Sequence, residues 1–186
     1  MQLFSSGLRG GSIVQVAHIV EDLQASMQRW TRQSGVGPFF VIEHFPLKNV
    51  LHRGEPCDLD IHVALTFSGS TCFELIQQND QTPSVYREVI ARRGYGLHHV
   101  AIATDTFDAE VAKRSAAGDS IIASALVGVG ARVAYVDTFS ELGCLLEIIE
   151  LAPPVEQLFG FIQTSCAGWD GKDPVRQLPP PSGAAR

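Results

Sequence analysis

Four polar side chains stand at matched places in two halves of this sequence. "QVAHIVEDL" (15–23) and "HVAIATDTF" (99–107) share one pattern: a polar residue, Val, Ala, three mostly apolar positions, an acidic-containing turn and an apolar helix start. This register sets Gln15 opposite His99. "CFELIQ" (72–77) and "LLEIIE" (145–150) match in the same way and set Glu74 opposite Glu147. Successive side chains of a strand point to opposite faces. His99 therefore shares a face with Ala101 and Ala103, and Gln15 shares one with Ala17 and Ile19. His98 is expected on the other face with Val100 and Ile102, and His18 on a helix-covered face, both as structural histidines. One imidazole and three amide or carboxylate groups suit a single divalent cation: Zn, Co, Ni, Mn or Fe. Four protein ligands would leave open positions on a five- or six-coordinate ion for water or substrate.

The elements that must carry these residues are readable from periodicity and turn chemistry. "SIVQVAHIV" (12–20) is a β-branched strand. It is followed by a helix with Leu23, Met27 and Trp30 at helical spacing and Gly35 as its stop. "GPFFVIEHF" (37–45) is a second strand. Residues 46–57, with Pro46, Gly54 and Pro56, read as a loop. "DLDIHVALTF" and "TCFELIQQ" form a hairpin through "SGS". "TPSVYREVIARRG" is a helix that Thr82 can cap, with Pro83 at its first position and Gly94 as its stop. The second half repeats the order: strand "GLHHVAIAT", helix "DTFDAEVAKRSAAG", then strands "DSIIASAL", "ARVAYVDTF" and "GCLLEIIEL". Each half is a strand, a helix and three strands. The expected organisation is an N-terminal extension (1–11), a first module with its linking helix (12–94), a second module (95–152), and a short helix followed by a tail (153–186). The tail's end, "PPPSGAAR", is expected to be disordered.

Composition narrows the function. The chain has 186 residues, 45% hydrophobic and 18% charged, enough for a substantial core. Its formal charge is -6, and no run of Lys or Arg exceeds two, so nothing marks a nucleic-acid or anionic-membrane surface. No apolar stretch approaches the ~20 residues that span a bilayer. The start "MQLFSSGLRGGS" lacks a basic segment followed by an apolar one, so no signal peptide is expected. The four cysteines have no short paired spacing and read as reduced, buried residues of a cytoplasmic protein.

The segments "FELIQ", "RRGYGLHHVAIATDTFDAEVAK" and "LGCLLEIIE", with the paired halves around them, resemble the vicinal oxygen chelate superfamily. Its members include glyoxalase I, methylmalonyl-CoA epimerase, extradiol dioxygenases and bleomycin-resistance proteins. The resemblance covers about residues 12–151 and is strongest to the methylmalonyl-CoA epimerase-like branch. It implies an α+β fold in which two βαβββ modules pair into a curved mixed-sheet half-barrel around one metal. Its ligands would come from the first and last strands of each half, at Gln15, Glu74, His99 and Glu147. Epimerases of that branch carry His at the position of Gln15 and Gln at that of Glu74, whereas some glyoxalase I enzymes use the Gln, Glu, His, Glu set found here. The resemblance also implies a homodimer. Whether the modules pair within one chain or between two stays open.

Chemistry follows from such a site. A divalent ion bound by two neighbouring substrate oxygens stabilises the enolate formed when a proton leaves the adjacent carbon. The resemblance implies a metal-site glutamate as the base, Glu147 first and Glu74 second. One would take the proton and its symmetry mate would return it to the other face. In "DLDIHVAL", Asp58, Asp60 and His62 share a face that is expected to point into the cavity, where His62 would orient substrate or shuttle a proton. The other reading has that face in water. Tyr135, in "RVAYVDT", would hydrogen-bond a substrate oxygen or serve as a core or rim tyrosine. Arg53 reads as a solvated loop residue or an anion contact. The leading expectation is a metal-dependent epimerase or isomerase acting next to a carbonyl, on an acyl-CoA or a carbonyl-bearing acid. A glyoxalase I-type lyase and a non-catalytic small-molecule binder are the alternatives. Non-haem iron dioxygenases want two His and one carboxylate, and only one of these four positions is His.

Overall fold

The computed structural model describes residues 12–178. The proposed N-terminal extension (1–11) and the "PPPSGAAR" end (179–186) lie outside the described residues.

The first half runs β1 (Ile13–Ile19), α1 (Leu23–Ser34), β2 (Phe39–Ile42), β3 (Leu47–His52), β4 (Glu55–Pro56), β5 (Ile61–Ser68) and β6 (Thr71–Gln78). Helix α2 (Val85–Arg93) links it to β7 (Gly96–Thr104), α3 (Phe107–Ala116), β8 (Ile121–Val127), β9 (Arg132–Val136), α4 (Phe139–Leu142) and β10 (Leu145–Glu150). Helix α5 (Pro153–Cys166) and β11 (Val175–Gln177) close the described chain. All strands join one sheet in the order β11-β2-β5-β6-β1-β7-β10-β9-β8-β3-β4. Around the β1–β7 seam the two modules are mirrored in order: β1, β6, β5, β2 on one side and β7, β10, β9, β8 on the other. The seam is antiparallel, whereas β1–β6 and β7–β10 are parallel. The modules therefore pair within one chain.

Local sequence explains most elements. Asp22 caps α1 by accepting from the Ala25 backbone N–H, and Gly35 ends it in the left-handed region (φ 69). Ser84, not Thr82, caps α2. Its hydroxyl accepts from the Arg87 N–H while donating to Gln78 Oε1, and this second bond to the end of β6 fixes where the helix begins.

Residues 46–57 do not form a loop. They form the β3–β4 hairpin, which pairs with β8 at the far edge of the second module. Pro56 sits on the two-residue outermost strand, a position that a residue without an N–H tolerates. The segment after 152 is longer and more engaged than its composition indicates. Val155, Phe159 and Ile162 of α5 are buried, β11 adds in parallel to β2, and the Trp169 ring lies so close to Gly37 that a Cβ there would fall 2.6 Å from it.

Three apolar clusters divide the core. Leu23 and Met27 of α1 pack with Phe39, Val41, Ala64 and Leu75 behind the first module. Phe107 of α3 packs with Ile102, Val136 and Ile148 behind the second. The largest cluster lies on the other face, where α2 and α5 cover the sheet: Val85, Tyr86 and Phe159 meet Ile61, Val63, Leu65, Val133 and Tyr135. Ala17 and Ala101, both fully buried at the seam, keep this face shallow at its centre. The four cysteines are all free thiols. Among the described residues, no helix is long and apolar enough to cross a membrane.

Candidate active site

Strand register brings the four matched residues together. Ala17 pairs with Glu74 and Ala101 pairs with Glu147. Gln15 and His99 lie two residues before those alanines and face the same way. The two halves thus supply one residue each from a first strand and one each from a last strand. Gln15 Nε2 donates to Glu74 Oε2 at 2.7 Å and lies 3.4 Å from His99 Nε2. His99 Nε2 is 3.1 Å from Glu147 Oε2 and 3.5 Å from Glu74 Oε2. Gln15, His99 and Glu147 are buried.

The donor set fits a divalent ion. Ligand atoms placed ~2.0–2.2 Å from one ion stand roughly 3.0–3.6 Å from their neighbours, close to the separations around His99 Nε2. Two carboxylates oppose the ion's charge, and the Gln15 amide presents oxygen in place of nitrogen by a flip of its end group. Without a cation, burial pushes the Glu74 carboxyl up to about 8, the Glu147 charge adding to the rise while His99 and Gln15 oppose it. A cation would supply the compensation these buried carboxylates lack.

A feature the alternation rule missed lies beside His99. Between Ala17 and His18 the register with β7 shifts, so that Ala17 faces His99 while His18 faces Leu97. Such a bulge re-aims a side chain. It turns His98 out of the expected alternation and onto the site side of the sheet, where its ring packs on Tyr86 and lies near His99 and Tyr135. His98 Nδ1 lies 2.8 Å from His99 Nδ1. Burial, reinforced by the neighbouring His99, holds the His98 imidazole well below its ordinary value. His18 sits on the opposite face against Trp30 and Phe73.

Tyr135 pairs in register with Glu147 and lines the cavity, its hydroxyl 3.4 Å from that of Tyr86. Burial raises both phenols above their usual value. His62 is elsewhere. On β5 the cavity side carries Ile61, Val63 and Leu65, so the alternation sends Asp60 and His62 away from it. The expectation that their polar face lines the cavity is corrected here: apolar residues take the concave face because α2 and α5 cover it. His62 Nδ1 accepts from the His44 backbone N–H, and His44 Nδ1 binds Asp60. These three form an outward-facing group of potential metal ligands with His44 largely exposed. Arg53 is exposed, as a solvated residue would be, and its guanidinium grips Glu88 of α2 in a two-pronged pair of 2.6 and 3.0 Å.

With His99 fully buried behind them, Gln15, Glu74 and Glu147 line a cavity of about 460 Å³. Sheet residues form its floor, the β3 hairpin and β8 one wall, and α2 with α5 the cover. Sequence reasoning tied the cavity's size to residues 46–57 but read them as loop rather than β3, and it did not place α5 over the cavity. The apolar positions of "PLKNVLH" and of "PVEQLFGFIQ" were their only signal.

The Glyoxalase/Bleomycin resistance protein/Dioxygenase superfamily matches residues 14–135. No curated protein matches the chain. Among solved structures, methylmalonyl-CoA epimerase from Mycobacterium tuberculosis is similar over 82% of this chain and 95% of its own, at 17% identity and a TM-score of 0.56. A hypothetical protein, BH1468, from Bacillus halodurans C-125 is similar over 76% and 94%, at 18% identity and 0.55. Methylmalonyl-CoA epimerase from Streptomyces coelicolor, in complex with 2-nitronate-propionyl-CoA, is similar over 78% and 97%, at 19% identity and 0.50. At these identities the likeness is one of fold.

Proposed function

Because this chain belongs to the Glyoxalase/Bleomycin resistance protein/Dioxygenase superfamily, we propose that its cavity is the active site of a metal-dependent enzyme that moves a proton on the carbon next to a carbonyl. The observation that carries this reading is the pair of carboxylates, Glu74 and Glu147, set on either side of His99 Nε2 by the repeat of the two modules. A bound divalent cation would supply Lewis-acid stabilisation of the enolate. Gln15, Glu74, His99 and Glu147 would hold it, and Zn, Co, Ni, Mn and Fe all suit the donor set.

Glu147 is the first base. It lies at the cavity wall beside Tyr135, in a setting from which water is largely excluded. Glu74, its mate across the seam, would return the proton to the opposite face, giving an epimerisation or isomerisation. Tyr135 directs a neutral hydroxyl into the cavity and can donate to a substrate oxygen. His98 holds His99 through their Nδ1 atoms, leaving Nε2 for the cation. His62, facing outward, takes no part.

The Gln, Glu, His, Glu set supports a second reading, a glyoxalase I-type lyase. A non-catalytic binder has no use for two buried carboxylates. We further propose a cytoplasmic homodimer, to be checked by light scattering for twice the mass of one chain. The deciding experiment for the function is deuterium incorporation from solvent next to a substrate carbonyl by the metal-loaded protein. Exchange with inversion supports the epimerase, and exchange with a new C–S or C–O connectivity supports the lyase. A protein that takes up none of the five metals and exchanges nothing overturns both.

A further inference from the structure

The cavity's lining has a consequence for the substrate. Among the described residues that form it, none is Arg or Lys, and the only carboxylates are Glu74 and Glu147. Most cations that flank the lining are engaged elsewhere: Arg53 with Glu88, Arg87 with the Asp80 carbonyl, and Arg132 with Glu150 and Asp108, while Lys48, beside Leu47, is exposed and does not line the cavity. Few other polar groups line it: Ser84 is bound to Gln78 and Cys57 to the Pro83 carbonyl, while His52, whose Nε2 lies 3.4 Å from Glu88 without a hydrogen bond, and Ser124 add one imidazole and one hydroxyl. Everything beyond the four-residue cluster and its two tyrosines is otherwise hydrocarbon or nearly so: Phe45, Leu47 and Leu59 on one side, Val127, Val133 and Phe159 on the other.

An anionic group in such a cavity would have to shed its water with no cation to receive it. A hydrocarbon chain would instead gain from burial at every carbon. The volume of about 460 Å³ lies in the range that encloses a small organic molecule.

We infer that the substrate is an uncharged, predominantly hydrocarbon carbonyl compound, with one head of two adjacent oxygens at the Gln15–Glu74–His99–Glu147 end and an apolar body filling the space between β3, β8 and α5. This inference rests on the functional reading above for the head of the molecule and on the cavity alone for its body. It replaces the expected acyl-CoA or carbonyl-bearing acid with a free, neutral carbonyl compound.

The test is calorimetric titration of the metal-loaded protein with 1-hydroxy-2-ketones of increasing alkyl length. The same chains ending in a carboxylate, and CoA thioesters of matching acyl length, serve as comparisons. Affinity should rise about fourfold per methylene until the cavity fills, and the terminal carboxylate should weaken binding at least tenfold. Ala125→Phe, on the β8 wall, should end the gain at a shorter chain while leaving the shortest ketone unaffected. Affinity that is flat with length, or tighter binding of the terminal carboxylates or CoA thioesters, overturns the inference. Deuterium exchange on the same ketones separates the two ideas. Length-dependent binding without exchange sinks the enzyme reading and keeps the cavity's preference; exchange without length dependence does the reverse.

Discussion

The Nδ1 atoms of His98 and His99 lie 2.8 Å apart, although the two are consecutive residues of one strand. A regular strand would send them to opposite faces. The bulge at β1–β7 brings both rings to the same side, and one ring's N–H then meets the other's lone pair. With His99 Nδ1 donating to a neutral His98, the His99 Nε2 lone pair faces the two carboxylates.

His98→Phe should therefore lower metal affinity about 10- to 100-fold with the fold retained. Competition against a chromogenic chelator measures it, and circular dichroism checks the fold. His98→Asn, which keeps an acceptor, should recover part of the loss. Equal affinity in wild type and His98→Phe would remove the positioning role.

Metal content tests the ligand set directly. Elemental mass spectrometry of the purified protein should find about one equivalent of a divalent metal. His99→Ala and Glu74→Ala should each lose it. Metal retained in both variants would relocate the site, the outward group at His44, Asp60 and His62 being the next place to look.

The two glutamates should separate by reaction. Glu147→Gln should slow proton exchange by about 10²- to 10⁴-fold, the usual worth of a positioned base. Glu74→Gln should still exchange the proton of one enantiomer while failing to invert it. Chiral analysis of product formed in deuterated water reads both effects. Inversion at full rate by Glu74→Gln would rule out the two-base arrangement.

Acid should loosen the cavity's walls before it disturbs the sheet. Arg53 holds the Glu88 carboxyl below its ordinary value, and Arg92 and Arg132 do the same for Asp137 and Glu150. A carboxylate whose folded value is depressed contributes stability that is full above its unfolded value, about 4, and is lost as pH falls through the folded value. Thermal melts should thus show stability declining below about pH 4. Each pair is partly exposed and contributes little, less still in high salt. Glu88→Gln should flatten part of the decline, and an unchanged profile would show that the pairs do not contribute.

Helix α5 should behave as part of the domain. Ile162 is fully buried in the cluster on the cavity side. Ile162→Ala should cost about 2–5 kcal/mol in denaturant unfolding. A change within ±0.5 kcal/mol, the usual effect at the surface, would mean that α5 is a dispensable appendage.

The paired βαβββ order, the matched register and the four polar residues were legible because each rests on a local, repeating signal. Strand alternation and helix spacing need only neighbouring residues, and a repeat within the chain acts as its own comparison. The end of α1 at Gly35 was legible for the same reason.

Other features depended on what each segment meets. Residues 46–57 read as loop from Pro46, Gly54 and Pro56, yet Leu47–His52 is a strand because β8 offers it an unpaired edge. Ser84 outranks Thr82 as a cap because Gln78 is there to bind it. The alternation of "DLDIHVAL" gave two faces but not which was inner, and α2 and α5 settled that by covering the apolar one. His98 faced the site only because a bulge broke a period that the sequence carries unbroken. Sequence by itself determined the residues that repeat and the chemistry they can do together. The tertiary structure alone decided which faces turn inward and what shares the cavity with them, since burial and register are set by contacts between segments far apart in the chain.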